Sequence, residues 1–181
     1  PGLESYRGQA RYSRTLEWPL PGTARLVFGG VSHTARVAVD GQFVGEHYDA
    51  FTPWEVLIPH LAAGHHSLVV DVDNTFGEHS ALHKENDYFT YGGITRPVEL
   101  QRLPDIHIGR CLAQPVRQPE GWALDVRVVA RNVGTVEGCR NVQVRIAGTL
   151  IEMGLVTVAA GASVELHQTS VVPGVMAWSA E

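Results

Sequence analysis

Apolar residues recur at every second position along most of this chain, and the three-to-four spacing of an amphipathic helix is nearly absent. Ala35, Val37 and Val39 fall on one face of an extended segment, with Arg36 and Asp40 off that face. Asp40-Gly41 then separates Val39 from Gln42-Phe43-Val44, a strong signal for a two-residue hairpin. Leu68, Val70 and Val72 alternate with Val69, Asp71 and Asp73 in the same way. Leu26 and Phe28 open an earlier strand, and Val98 and Leu100 close a later one. One short helical turn is expected, over Ile58-Pro59-His60-Leu61.

Around Leu103-Pro104-Asp105 one set of strands gives way to another. The second set runs over 106–116, 122–132, 142–147, 150–158 and 164–172. Within it Leu124, Val126 and Val128 oppose Asp125 and Arg127, and Val142, Val144 and Ile146 oppose Gln143 and Arg145. Five short strands broken by the turns at 118–121 and 159–162 suggest an immunoglobulin-like sandwich. The first hundred residues, with more strands and longer connections, better suit a jelly roll. The expected fold is therefore all-β: a jelly-roll-like sandwich over 1–104, then an immunoglobulin-like sandwich over 105–181.

Composition narrows the partners. The formal charge of −5 comes from scattered acids, and the 14 Lys and Arg form no cluster, which argues against a nucleic-acid partner. No run approaches the roughly 18 apolar residues of a membrane span. The chain starts at Pro1 without a leader and stops at Trp178-Ser179-Ala180-Glu181, so both ends are expected to be cut from a longer protein. A cytoplasmic setting is the expectation. Cys111 and Cys139 are read as free thiols, with a disulfide the alternative in an exported protein.

The stretch from Phe76 to Tyr88 breaks the alternation. It is polar, carries His79 and His83, and holds only Ala81 and Leu82 as an apolar core. Loops this long inside a compact domain are often functional, against the plainer reading of a surface excursion. Glu78, His79 and His83 are the best metal candidates, because the two histidines share a face if the segment is helical. Nothing else supports a helix there and no third ligand lies near, so no metal and no cofactor are expected. A Gly-x-Ser-x-Gly elbow and a phosphate-binding glycine loop are both missing, so no catalytic residue is assigned.

The most specific constellation is Asp87-Tyr88-Phe89-Thr90-Tyr91-Gly92-Gly93-Ile94-Thr95-Arg96-Pro97-Val98-Glu99-Leu100. Aromatics supply stiff surfaces, the glycine pair lets the backbone turn, and Arg96 offers a planar fork for a carboxylate. A buried structural corner explains the same composition. This run resembles the segment that closes the sugar-binding domain of glycoside hydrolase family 2, and within it the β-glucuronidases. Tyr6-Arg7-Gly8 with Tyr12-Ser13-Arg14, Phe28-Gly29-Gly30-Val31-Ser32-His33, Val39-Asp40-Gly41, and Phe51-Thr52-Pro53-Trp54-Glu55 are similar to other pieces of that family, in its order. Asp49-Ala50 stands where the family has Gly-Gly, so a differently shaped loop is expected there.

The resemblance implies a retaining β-glycosidase of β-glucuronidase or β-galactosidase type. Its two catalytic carboxylates sit roughly 5 Å apart on a downstream (β/α)8 barrel. No Asn-Glu pair, the family's usual acid/base site, occurs in these residues. The chain is then expected to be an inactive front part. It is expected to brace the barrel, help shape the pocket for a β-glycoside substrate and contribute to a homo-oligomer. The resemblance assigns Asp87 as a substrate-binding residue that accepts hydrogen bonds from sugar hydroxyls; the competing role is a turn cap. Two other functions stay open. One is a stand-alone carbohydrate-binding module that displays Trp54 or Tyr91 as sugar platforms, the other a structural pair of sandwiches.

Overall fold

The computed structural model describes residues 6–77, 91–119 and 121–173. Among these residues the regular structure is entirely β. The strands are β1 (Gln9–Trp18), β2 (Gly22–Phe28), β3 (Val31–Ser32), β4 (Thr34–Val39), β5 (Gln42–Tyr48), β6 (Trp54–Leu61) and β7 (Gly64–Asp73). They continue with β8 (Gly93–Ile94), β9 (Val98–Leu103), β10 (Ile106–Gln118), β11 (Gly121–Asn132), β12 (Gly138–Ile146), β13 (Thr149–Val158) and β14 (Ser163–Val171). The chain divides into two compact units, Pro1–Leu103 and Pro104–Glu181.

In the first unit a four-stranded sheet, β1-β7-β4-β5, shares a core with a three-stranded sheet, β6-β2-β9. The jelly-roll-like sandwich read from the sequence is thus present. Alternation decides which residues fill it: Ala35, Val37 and Val39 are buried from β4, and Leu68, Val70 and Val72 from β7. Leu26 and Phe28 meet them from β2, and the Phe28 ring stacks on Trp54 of β6 with centroids 4.3 Å apart. The β4–β5 hairpin turns on Asp40 (φ 50°) and Gly41 (φ 77°), the two positive angles that the Asp-Gly pair foretold.

The expected helical turn at Ile58–Leu61 is instead the end of β6. Ala24 pairs with Ile58 and Gly22 with Leu61, so Pro59 and His60 together face Thr23 in a bulge. Pro59 has no N–H to give to a ladder, and His60 takes φ 56°. The bulge returns Leu61 to the core side, where it is buried.

The second unit places β10-β11-β14 over the hairpin β12-β13 around Val126, Val128, Ile151 and Val158. The hairpin turns on Ala147 (φ 48°) and Gly148 (φ 81°). Asn132 is 1 % exposed and saturates its amide: Nδ2 donates to the carbonyls of Val136 and Val158, both at 2.9 Å, and Oδ1 accepts from Gly134 N at 2.9 Å. Cys111 and Cys139 are both unbonded and exposed.

One polar contact ties two turns of the first unit together. His66 Nδ1 lies 2.6 Å from Asp40 Oδ2, and Nε2 lies 2.8 Å from the Ala62 carbonyl. Both partners only accept, so the ring serves both as a donor through each nitrogen when it is an imidazolium. The Asp40 hydrogen bond and then the Ala62 carbonyl raise the His66 pKa above its ordinary value, and the same Asp40–His66 bond lowers that of Asp40. The raised histidine contributes stability that is complete below its unfolded pKa of about 6.5 and is lost as pH rises through the folded value. The depressed Asp40 contributes above about 3.9 and loses its share as pH falls. In an NMR titration the His66 ring should therefore titrate above the ordinary histidine value, and Asp40→Asn should bring it back down. Unchanged His66 titration in that variant would remove Asp40 as the cause.

Candidate functional site

The site expected from sequence centres on Asp87, which lies outside the described residues, as do Tyr88, Phe89, Glu78, His79 and His83. The structure does show where that segment leaves and re-enters the sandwich. The chain departs after β7 through Asn74, Thr75, Phe76 and Gly77, and returns through Tyr91, Gly92 and β8. β8 pairs with β3, Val31 against Ile94 and Ser32 against Gly93.

Asn74 joins the two stems to the entry strand. Its side chain is buried at 4 % exposure; Nδ2 donates to the Tyr6 carbonyl at 2.9 Å, and Oδ1 accepts from Gly8 N at 2.8 Å. Its own N–H donates to the Gly8 carbonyl at 3.2 Å. On the returning stem the backbone of Gly92 lies against this amide so closely that a Cβ would overlap it. Gly93 has φ 91° and lies against the Tyr12 hydroxyl, so a side chain there is strained by the backbone angle and would have to displace the Tyr12 ring. Tyr6, Tyr12, Gln9, Asn74 and the glycines enclose a cavity of about 280 Å³ at this end of the unit.

Around the outgoing stem, Asp73 accepts from Thr75 N at 2.8 Å and from Gln9 Nε2 at 3.2 Å. The bonds from Thr75, first among the causes, hold its carboxyl below the usual range. His33, 3 % exposed, donates its backbone N–H to the Asp73 carbonyl at 3.2 Å. Burial first, then the nearby Arg7 charge, pushes its pKa down. The Arg7 guanidinium lies 4.7 Å from the Phe76 ring centroid.

Two roles read from the sequence are corrected here. Among the described residues Arg96 meets main-chain carbonyls rather than a carboxylate: Nη1 donates to those of Phe51 at 2.9 Å and Gly29 at 3.4 Å. These carbonyls belong to residues just beyond a strand end or in a loop, which have no ladder partner to spend them on. Thr95 reinforces the same corner, donating through N and Oγ1 to Gly30 O. Trp54 offers no sugar platform, because its faces are taken by Phe28 and, at 5.0 Å, by His47. Tyr91 is exposed. At the Asp49-Ala50 departure, Asp49 Oδ1 accepts from Phe51 N at 2.7 Å and closes the turn, while Ala50 is buried. Asn74 was not singled out from sequence, although an Asp-Asn-Thr directly after an alternating strand is a usable signal for a side chain that caps freed main-chain groups. Among the described residues no three His, Cys, Asp or Glu come together to hold a metal ion.

Residues 1–104 match the model of the glycosyl hydrolases family 2 sugar binding domain. The chain belongs to glycosyl hydrolase family 2. A β-glucuronidase of Streptococcus agalactiae serotype V is 32 % identical over 126 residues, which cover 57 % of this chain and 21 % of that protein. A β-galactosidase of Thermoanaerobacter pseudethanolicus is 38 % identical over 85 residues, 45 % of this chain and 11 % of that protein. The crystal structure of a family 2 β-galacturonidase from Eisenbergiella tayi, bound to galacturonate, superposes with a TM-score of 0.83 at 37 % identity. That match covers 99 % of this chain and 32 % of the galacturonidase. The chain therefore spans about a third or less of the length of these relatives.

The packing of Gly92 on Asn74 predicts a coupling. Asn74→Ala should cost about 1–3 kcal/mol by leaving the Tyr6 carbonyl and Gly8 N–H unpaired. Gly92→Ala should destabilise the wild-type background more than the Asn74→Ala background, where the two closest amide atoms are gone and only the Asn74 Cβ position, 2.9 Å from the added methyl, has still to give way. Denaturant unfolding of the two single variants and the double variant measures this; simple additivity would mean the two residues do not touch in solution.

Proposed function

We propose that this chain is the non-catalytic front part of a retaining β-glycosidase that acts on β-linked hexuronides. In this reading the first unit fixes the stems of segment 78–90 so that Asp87 reaches the sugar, and both units brace a downstream (β/α)8 barrel that carries the two catalytic carboxylates. The observation that carries it is the 37 % identity to the β-galacturonidase across 99 % of the chain. The β-glucuronidase relative supports a uronic-acid substrate as well, and the β-galactosidase relative supplies the competing sugar class.

The chemistry of Asp87 suits the role. An ionised carboxylate only accepts, takes two hydroxyl donors at once, and forms charge-assisted bonds stronger than neutral ones. The division of labour also has a physical basis. Among the described residues the stems are held by side-chain amide and close glycine contacts that leave little freedom, and a site residue is only as well placed as its support.

The intact protein should hydrolyse an aryl β-galacturonide or β-glucuronide with kcat/KM at least tenfold above that for the β-galactoside. The 181-residue chain alone should show no turnover above buffer. Preference for the galactoside would overturn the uronide assignment and leave the glycosidase reading standing; turnover by the purified chain would overturn the non-catalytic role.

In the intact protein, Asp87→Ala should lower kcat/KM at least tenfold, a loss of roughly 1.4 kcal/mol or more of transition-state stabilisation. Its Tm should stay nearly unchanged. Retained activity with a lowered Tm would make Asp87 a turn residue.

A further inference from the structure

His66 stands between two turns whose groups only accept hydrogen bonds from it. Its ring is buried, with Nδ1 2.6 Å from Asp40 Oδ2 in the β4–β5 turn and Nε2 2.8 Å from the Ala62 carbonyl in the turn between β6 and β7. The two partners are held very differently. Asp40 Oδ1 also accepts from Ser67 N at 2.8 Å, and the Asp40 N–H donates to the Ser67 carbonyl at 2.8 Å. The carboxylate is therefore fastened to β7 whatever the ring does. Ala62 and Ala63 are exposed and lie between the strand residues Leu61 and Gly64. Among the described residues the bond from His66 is the one hydrogen bond that the Ala62 carbonyl accepts.

An imidazolium donates through both nitrogens, whereas a neutral imidazole has one N–H and one acceptor nitrogen. Losing one proton therefore sets a lone pair against one of the two acceptors. A hydrogen bond to a carboxylate is roughly twice as strong as one to a neutral carbonyl, so the remaining proton stays on Nδ1, toward Asp40. Nε2 then turns its lone pair on the Ala62 carbonyl, and the turn is the side free to move. Among the described residues Asp40 is the one charged group that acts on the ring. On β1 the ring's partner is the apolar Leu16, and the next pair, Glu17 with His65, projects from the opposite face of the sheet. The strand leading into the turn, β6, ends on the buried Leu61, with the exposed His60 before it.

We propose that His66 and Asp40 form a one-proton clasp on the Ala62–Gly64 turn: the doubly protonated ring holds the turn to the β4–β5 hairpin, and when one proton leaves, the carboxylate keeps the ring and the turn lets go. The turn is closed at low pH and opens as pH rises through the raised His66 pKa. Asp40→Asn reverses the logic. An amide at position 40 can keep Oδ1 on Ser67 N and offer Nδ2 to the ring, so that Nδ1 becomes the acceptor and the single N–H moves to Nε2, toward Ala62. The turn is then closed whether or not the ring is charged. The clasp is independent of what the intact protein hydrolyses.

Hydrogen exchange of the intact protein tests this, read by mass spectrometry on peptides over 60–72 from about pH 5.5 to about pH 9, with each rate divided by the intrinsic amide rate. In the wild type the amides of 62–65 should lose at least about fivefold of their protection as His66 deprotonates, while those of 68–72 in β7 keep theirs. In Asp40→Asn the turn should stay protected across the whole range. A contact that merely stabilised the fold would instead be weakened by that substitution at every pH. Protection at 62–65 that is the same at both ends of the wild-type series would overturn the clasp. So would a loss with rising pH in Asp40→Asn as large as that in the wild type, because the carboxylate would then not be what decides. Loss that spreads to 68–72 would mean that the sandwich itself loosens, which overturns a switch confined to the turn. If Asp40→Asn fails to fold, the wild-type series alone separates these outcomes.

Discussion

A β-sandwich holds only where each inward-facing row has a row of the opposite sheet to cover it, because the hydrophobic contribution is proportional to the apolar area withdrawn from water. In the first unit the condition is met. Four strands face three, and Leu26, Phe28, Val37, Val70 and Trp54 interlock with almost no exposure. The Phe28–Trp54 stack lies where β2 and β6 pair, Phe28 opposite Trp54 in the ladder, so one aromatic contact serves both sheet pairing and core filling. Among the described residues of the second unit three strands face two, around Val126, Val128, Ile151 and Val158.

Where strands end, the constraint changes from covering apolar area to satisfying freed main-chain groups. Two asparagines do this by the same means. Asn74 in the first unit and Asn132 in the second each bury an amide that both donates to and accepts from main-chain groups. An aspartate at position 74 would keep the bond from Gly8 N but set a carboxylate against the Tyr6 carbonyl, so the amide is required by its donor. Arg96 works in the same manner with a longer reach, closing two carbonyls that no strand claims. The candidate site thus hangs from polar contacts at the rim of a core whose stability comes from elsewhere.

Much of the fold was legible because period-two alternation and turn chemistry act locally. Val37 and Val39, or Val70 and Val72, announce their face from their own spacing, and Asp40-Gly41 announces its turn from the backbone angles it tolerates. The second hairpin turn at Ala147-Gly148 uses the same angles with a weaker residue pair, which is why the sequence marks it less clearly. Ile58–Leu61 was misread because a bulge and a helical turn both relieve a proline of its ladder bond, and only the partner strand distinguishes them. Arg96, Trp54 and Asn74 were hidden for a related reason. What an arginine, a tryptophan or an amide does depends on groups 26 to 68 residues away in sequence, such as the Gly29 carbonyl, the Phe28 ring or the Tyr6 carbonyl. Of the site itself, the sequence exposed the glycine pair and the aromatic run, but not the buried amide against which Gly92 packs.

The relatives separate what the scaffold must keep from what it is free to change. A β-glucuronidase of Bacteroides uniformis superposes at a TM-score of 0.78 with only 22 % identity, so this arrangement of sheets tolerates replacement of most of its residues. Tolerance of that kind is expected of a core that needs apolar volume at alternating positions rather than particular side chains. It is not expected at Gly93, where the backbone angle strains any side chain, nor at Gly92 against the buried Asn74 amide. Function on such a scaffold is carried by a site grafted onto it, and family members with different sugar names share the fold. At the two stems, by contrast, a single added methyl group meets a close contact, Asn74 beside Gly92 and the Tyr12 hydroxyl beside Gly93, that would have to shift.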